Sequence, residues 1–108
     1  MKIGTDVVYI PRIKKLLEQE KSLKKVFHKS EYKDFRAEHI AGVFAVKEAF
    51  FKAIGKKVNW LEIEIKNKKT GKPLLIISDN LRDKFKIKDV DISISHDKDY
   101  AIAQVLIS

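Results

Sequence analysis

Residues 44–55 read "FAVKEAFFKAIG", a stretch with the make-up of a core helix that still carries Lys47, Glu48 and Lys52 among its phenylalanines. At about 100° per residue, Glu48 and Lys52 project within one narrow sector, bounded by Phe44 and Phe51 on one side and Ala45 on the other. Apolar residues fill nearly every other direction, Lys47 excepted. A helix that is apolar almost all round is buried or lies at an interface. The periodicity predicts a helix from about Ala37 to Ile54, ended by Gly55, with Glu48 partly desolvated. Two fates stay open for that carboxylate. An ordinary Glu-to-Lys pair four residues apart stabilises a helix by about a few tenths of a kcal/mol. A divalent cation would offset the cost of desolvation more fully and make use of the charge.

The segments on either side fall into place around this helix. "KIGTDVVYI" (2–10) predicts a strand with Ile3, Thr5, Val7 and Tyr9 on one face and Gly4, Asp6, Val8 and Ile10 on the other. Pro11 suits a first helical turn, with "RIKKLLEQE" following as helix. Ser30 is a candidate cap for a short helix through Phe35. "WLEIEIKN" (60–67) alternates, with Leu61, Ile63 and Ile65 expected inward and Glu62 and Glu64 outward. "KKTGKP" is turn chemistry, so "LLIIS" returns as a hairpin partner. "DNLRDKF" predicts a short helix capped by Ser78 or Asp79. "VDISIS" and "YAIAQVLIS" close the chain as two strands joined through "HDKD". The expectation is an α+β fold in which antiparallel strands pack with one long and one or two short helices. Without repeats or linkers, residues 1–108 are expected to form one domain.

Composition bounds the function. Forty-four per cent of residues are apolar, which argues for a folded chain. The absence of cysteine excludes disulfides and thiolate zinc sites and fits a reducing cytoplasm. No apolar run approaches the roughly 18 residues of a membrane span, and "MKIGTDVVYIPR" lacks the features of a signal peptide. A cytoplasmic protein is expected. The formal charge of +8 favours a polyanionic partner or reflects a solubilising lysine surface. Asp6 interrupts an otherwise apolar strand, as an edge residue or as a second ligand beside Glu48. Magnesium uses one or two protein carboxylates and fills its other positions with water and phosphate oxygens, which suits phosphoryl chemistry.

Three blocks, "IGTDVVYIPRI" (3–13), "AGVFAVKEAFFKAIG" (41–55) and "ISISHDKDYAIAQVLI" (92–107), with "EIEIKNKKTGKPLL" (62–75) between them, carry a family resemblance. The chain resembles the holo-[acyl-carrier-protein] synthases, the short group of the 4′-phosphopantetheinyl transferase superfamily. The resemblance implies that fold and a magnesium-dependent enzyme. Such an enzyme transfers 4′-phosphopantetheine from coenzyme A to a serine of apo-acyl carrier protein and releases adenosine 3′,5′-bisphosphate. It implies Asp6 and Glu48 as metal-binding carboxylates and Lys52 as the lysine near the transferring phosphate. It also implies Gly55, Gly71, Lys72, Pro73 and His96 in the coenzyme A site, although a structural histidine and an ordinary hairpin turn stay open at the last four positions. Arg12 matches an arginine that meets the acidic carrier protein, and Lys14, Lys15, Lys21, Lys24 and Lys25 add positive charge around it. The resemblance further implies a homotrimer with active sites between subunits, and a place in fatty-acid or related biosynthesis.

The chain also departs from the family. Val43 stands where many relatives carry an arginine, so a phosphate contact is either absent here or replaced by Lys47, Lys56 or Lys57. The loop "GKKVNW" after Gly55 is short. A small basic nucleic-acid-binding domain, and a non-catalytic relative that binds coenzyme A or a carrier protein, are the rivals. Neither a membrane nor a nucleic acid is the expected partner.

Overall fold

The computed structural model describes residues 1–108 and is α+β. Strand β1 (Lys2–Tyr9) is followed by helices α1 (Ile10–Leu16), α2 (Glu20–Val26), α3 (Lys29–Tyr32) and α4 (Ala37–Ile54). After α4 come the hairpin β2 (Ile63–Asn67) and β3 (Pro73–Ile77), helix α5 (Asp79–Lys84), and the hairpin β4 (Val90–Asp97) and β5 (Tyr100–Ile107). Strands β1, β5 and β4 form an antiparallel sheet in that order, while β2 and β3 form a separate pair.

Helix α4 lies on one face of the three-stranded sheet. Its Ala45, Ala49 and Phe50 are buried together with Val8 of β1 and Ala101, Ala103 and Val105 of β5. Small residues on both surfaces let helix and sheet approach closely, and Gly4 marks the tightest point. A Cβ built there would lie 1.8 Å from the Ala49 carbonyl oxygen and 2.9 Å from the Ala53 nitrogen, which no real side chain tolerates. The even-numbered face of β1 therefore packs on α4. The odd face is exposed, with Ile3 64 % and Val7 54 % accessible. No helix is long and apolar enough to cross a membrane.

The expected helix over 37–54 is observed with those bounds, and Gly55 ends it in the left-handed region at φ 74°. Ser78 caps α5 by accepting from the Leu81 amide at 3.2 Å. Elsewhere the structure differs from expectation. The first helix stops at Leu16, and a further helix, α2, carries Lys21, Lys24 and Lys25. Ser30 does not cap α3 but sits inside it, donating to Glu64 at 2.6 Å. Residues Trp60–Glu62 form a 3₁₀ turn capped by Asn59, which accepts from the Leu61 amide at 3.0 Å. That turn breaks the alternation one residue before the strand begins, so Leu61 points outward and is exposed. His96 lies within β4, opposite Ala101, and the connecting turn is only Lys98–Asp99.

Candidate functional site

The close approach at Gly4 positions Asp6. Two residues further along the same face of β1, its carboxylate meets the long helix and accepts from Lys52 Nζ at 2.9 Å. Lys52 also donates to the Thr5 carbonyl at 3.0 Å. These bonds span 46 and 47 residues, so they exist only because β1 packs on α4. Asp6 retains 14 % of its side-chain exposure. Glu48 stands one helical turn before Lys52, its side chain 25 % exposed, which bears out its partial desolvation. It does not form the four-residue pair with Lys52. Its oxygen lies 3.5 Å from Lys57 Nζ instead. Lys57 in turn rests over the Trp60 ring at 4.8 Å, and Trp60 packs on Phe44 and Phe51. Glu48, Lys52, Gly55, Lys56 and Lys57 line one cavity of about 290 Å³. One carboxylate and three lysines thus line this cavity, and Asp6 is joined to it through its bond to Lys52; hard oxygens of this kind suit a divalent cation, and the ammonium groups suit phosphate oxygens.

A second cavity, of about 430 Å³, gathers Gly71, Lys72, Pro73 and His96 with His39 and Gly42. Gly71 takes φ 87° in the hairpin turn, and Lys72 pairs weakly with Asp91 at 3.6 Å. Gly42 does for β4 what Gly4 does for β1. A Cβ there would sit 3.0 Å from Ile94 Cγ2 and 3.4 Å from His96 Nε2. His96 can therefore lie against the helix, with its Nε2 2.9 Å from the Glu38 carbonyl oxygen. His39 lines the same cavity. Burial, and secondarily His96, hold its pKa below the usual imidazole value, with Glu31 opposing.

Within one chain the residues singled out from the sequence fall into two groups. Glu48, Lys52 and Gly55 belong to the first cavity, to which Asp6 is joined through Lys52, and Gly71, Lys72, Pro73 and His96 belong to the second. Phe51 follows Gly42 by nine positions, about two and a half turns, so the two cavities open on opposite sides of α4. Arg12 is exposed on α1, as are Lys14, Lys15, Lys21, Lys24 and Lys25 on α1 and α2.

Lys47 cannot replace the arginine that Val43 displaces. Its ammonium is fully buried and donates to Glu31 at 2.8 Å, the Val26 carbonyl at 2.8 Å and the Trp60 carbonyl at 3.2 Å. Glu31, also fully buried, accepts from the His28 amide at 2.7 Å and the Ile65 amide at 2.8 Å. Burial lowers the lysine pKa and the adjacent Glu31 carboxylate opposes the shift. Periodicity misses this pair because a lone lysine on an apolar helix reads as a surface residue. His39 goes unseen from sequence, and Lys57 is named there only as a replacement phosphate contact, not as the partner of Glu48. Their placement depends on β4 and on the loop that follows Gly55.

The sequence pattern of the 4′-phosphopantetheinyl transferase superfamily matches residues 2–105. The holo-[acyl-carrier-protein] synthase of Clostridium tetani is 44 % identical, with 97 % of this chain and 93 % of the relative covered. That alignment spans 117 positions, more than the chain's own length, which agrees with shortened loops. Among solved structures, the Helicobacter pylori holo-[acyl-carrier-protein] synthase in complex with coenzyme A is 37 % identical, with a TM-score of 0.91. The match covers 98 % of this chain and 99 % of that one. The Bacillus anthracis enzyme in complex with coenzyme A (3′,5′-ADP) is 36 % identical with a TM-score of 0.82, covering 98 % and 94 % of the two chains. This chain, whose strand carboxylate meets a helix lysine of the first cavity, belongs to the 4′-phosphopantetheinyl transferase superfamily, in the group of the holo-[acyl-carrier-protein] synthases.

Proposed function

We propose that this chain transfers the 4′-phosphopantetheine group of coenzyme A to a serine of an acidic apo-acyl carrier protein, leaving adenosine 3′,5′-bisphosphate. The observation that carries the proposal is the 2.9 Å bond between Lys52 and Asp6 with Glu48 one turn away, in a chain similar throughout to enzymes solved with coenzyme A.

Asp6 and Glu48 would hold magnesium. The donor set fits: both are hard oxygen ligands, and no third Asp, Glu, His or Cys joins them to close a cage. Positions are left for water and phosphate oxygens. Bound there, magnesium supplies Lewis-acid stabilisation of charge on the pyrophosphate. Lys52, anchored on Thr5 and Asp6, has its ammonium set to donate to phosphate oxygens as negative charge builds on the transferring and departing groups. Phosphoryl transfer needs little covalent work from the protein, so holding these charges in place is the main contribution. Gly55, which carries no side chain to fill the first cavity, allows substrate to approach the helix end. His96, Gly71, Lys72 and Pro73 line the second cavity and would bind the nucleotide end of coenzyme A, with His39 beside them.

The two cavities face away from each other in one chain. A homotrimer in which one subunit's first cavity meets a neighbour's second would complete the site. The exposed apolar sheet face of Ile3, Val7, Tyr9, Tyr100 and Leu106 is suited to such contacts. Exposed Arg12, with the lysines of α1 and α2, would steer the acidic carrier to the site.

The direct test mixes purified protein, coenzyme A, apo-acyl carrier protein and magnesium and follows the carrier's mass. Carrier that gains phosphopantetheine is the expected result, and unmodified carrier under conditions where a related synthase works would refute the assignment. Glu48→Gln should lower turnover by at least about a hundredfold with an unchanged circular-dichroism spectrum, since a carboxamide is a poor ligand for magnesium.

A further inference from the structure

Lys57, like Lys56, lines the first cavity without a step assigned to it in the proposed chemistry. Its Nζ stands 3.5 Å from Glu48 Oε1 and 4.8 Å from the centre of the Trp60 ring. Lys56 lines the same cavity one residue earlier with the same charge, yet forms neither contact. Lys57 is thus singled out by geometry, not by charge. Trp60 is itself fixed, packed on Phe44 and Phe51, with its carbonyl bound to the buried Lys47. The ring face is therefore a rigid rest that holds the ammonium beside the carboxylate at small entropic cost.

We propose that Lys57 is a built-in counter-cation that competes with the divalent cation for Glu48 and so sets the affinity of the metal site. This rests on the assignment of Glu48 as a metal ligand made above. An ammonium and a divalent ion cannot share one carboxylate oxygen at close range without strong mutual repulsion, so each must weaken the other's hold. The pair is long and its lysine largely exposed, so its strength belongs with surface ion pairs. It acts as a mild brake that the cation overcomes, not as a lock. When displaced, the ammonium leaves the Trp60 face, and Trp60, the only tryptophan in the chain, registers the change.

The test measures binding of Mn²⁺ alone to the intact protein, with free ion followed by electron paramagnetic resonance. Lys57→Ala is expected to bind Mn²⁺ roughly two- to fivefold more tightly than the parent, the range that a surface ion pair supports. Lys57→Arg should stay near the parent, and Lys56→Ala should produce less than half of the change seen for Lys57→Ala. Mg²⁺ titration should shift Trp60 fluorescence in the parent and not in Lys57→Ala. The inference is overturned if Glu48→Gln loses Mn²⁺ binding while Lys57→Ala matches the parent, or while Lys56→Ala matches Lys57→Ala. If Glu48→Gln binds Mn²⁺ as the parent does, the metal assignment itself fails and takes the inference with it.

Discussion

Replacing Lys47 by methionine removes one ammonium from a site in which every hydrogen bond is already spoken for. The lysine serves three acceptors, Glu31 and the Val26 and Trp60 carbonyls. The variant leaves two carbonyls without a donor and a carboxylate buried without its cation. Removing one partner of a buried pair costs about 3–5 kcal/mol, a large share of the roughly 5–15 kcal/mol that holds a typical domain together. The double variant Lys47→Met with Glu31→Leu is more informative. In many proteins a buried ion pair is replaceable by apolar groups at little cost. Here the two side chains also satisfy four backbone groups: the Val26 and Trp60 carbonyls and the His28 and Ile65 amides. Each such group left unpaired costs about 1–3 kcal/mol.

The double variant is therefore expected to remain at least about 3 kcal/mol less stable than the parent. Its loss should still be smaller than the sum of the single losses, by about 1–3 kcal/mol, because the charges are then removed together. Urea unfolding followed by Trp60 fluorescence measures all four proteins, and Trp60 sits at the clamp. A double variant within about 1 kcal/mol of the parent would show that the pair is dispensable and that the backbone groups find other partners, refuting the argument. A Lys47→Met variant that is nearly neutral would do the same.

Three further outcomes follow from other parts of the structure. Gly4→Ala drives a methyl group into the Ala49 carbonyl, so it should lower stability by about 3 kcal/mol and reduce turnover by moving Asp6 off Lys52, measured by urea unfolding and the carrier assay. His39 has a lowered pKa in the folded protein, so the unfolded chain takes up the proton first as pH falls. Its contribution to stability is intact above about pH 6.5 and is lost as pH drops below that value through the folded pKa; thermal melts across pH 5–8 should show this, with a flatter profile for His39→Gln. Arg12→Glu should raise KM for the carrier protein with little change in kcat, and the defect should shrink in high salt, as steady-state kinetics with coenzyme A saturating will show.

Much of the site was legible in local pattern. The bounds of the long helix, its stop at Gly55 and the partial burial of Glu48 follow from periodicity and from one residue able to adopt positive φ. The hairpins follow from alternation and turn residues, and Leu61 is misjudged only because a 3₁₀ turn interrupts the alternation. The three-block resemblance named Asp6, Glu48 and Lys52 together, and Asp6 and Lys52 do meet.

What the amino-acid order determined by itself was therefore which elements form and which face of each is apolar, since both are decided among residues a few positions apart. Tertiary packing decided which charge meets which. Lys52 chose Asp6 over Glu48 because Gly4 lets β1 come within backbone contact of α4. Glu48 took Lys57 because the short loop after Gly55 folds back over Trp60. Lys47 became the most deeply buried cation because Glu31, Val26 and Trp60 converge on it from three separate segments. An ion pair depends on a few ångströms of separation and on local access to water, and both are properties of elements brought together from distant parts of the chain.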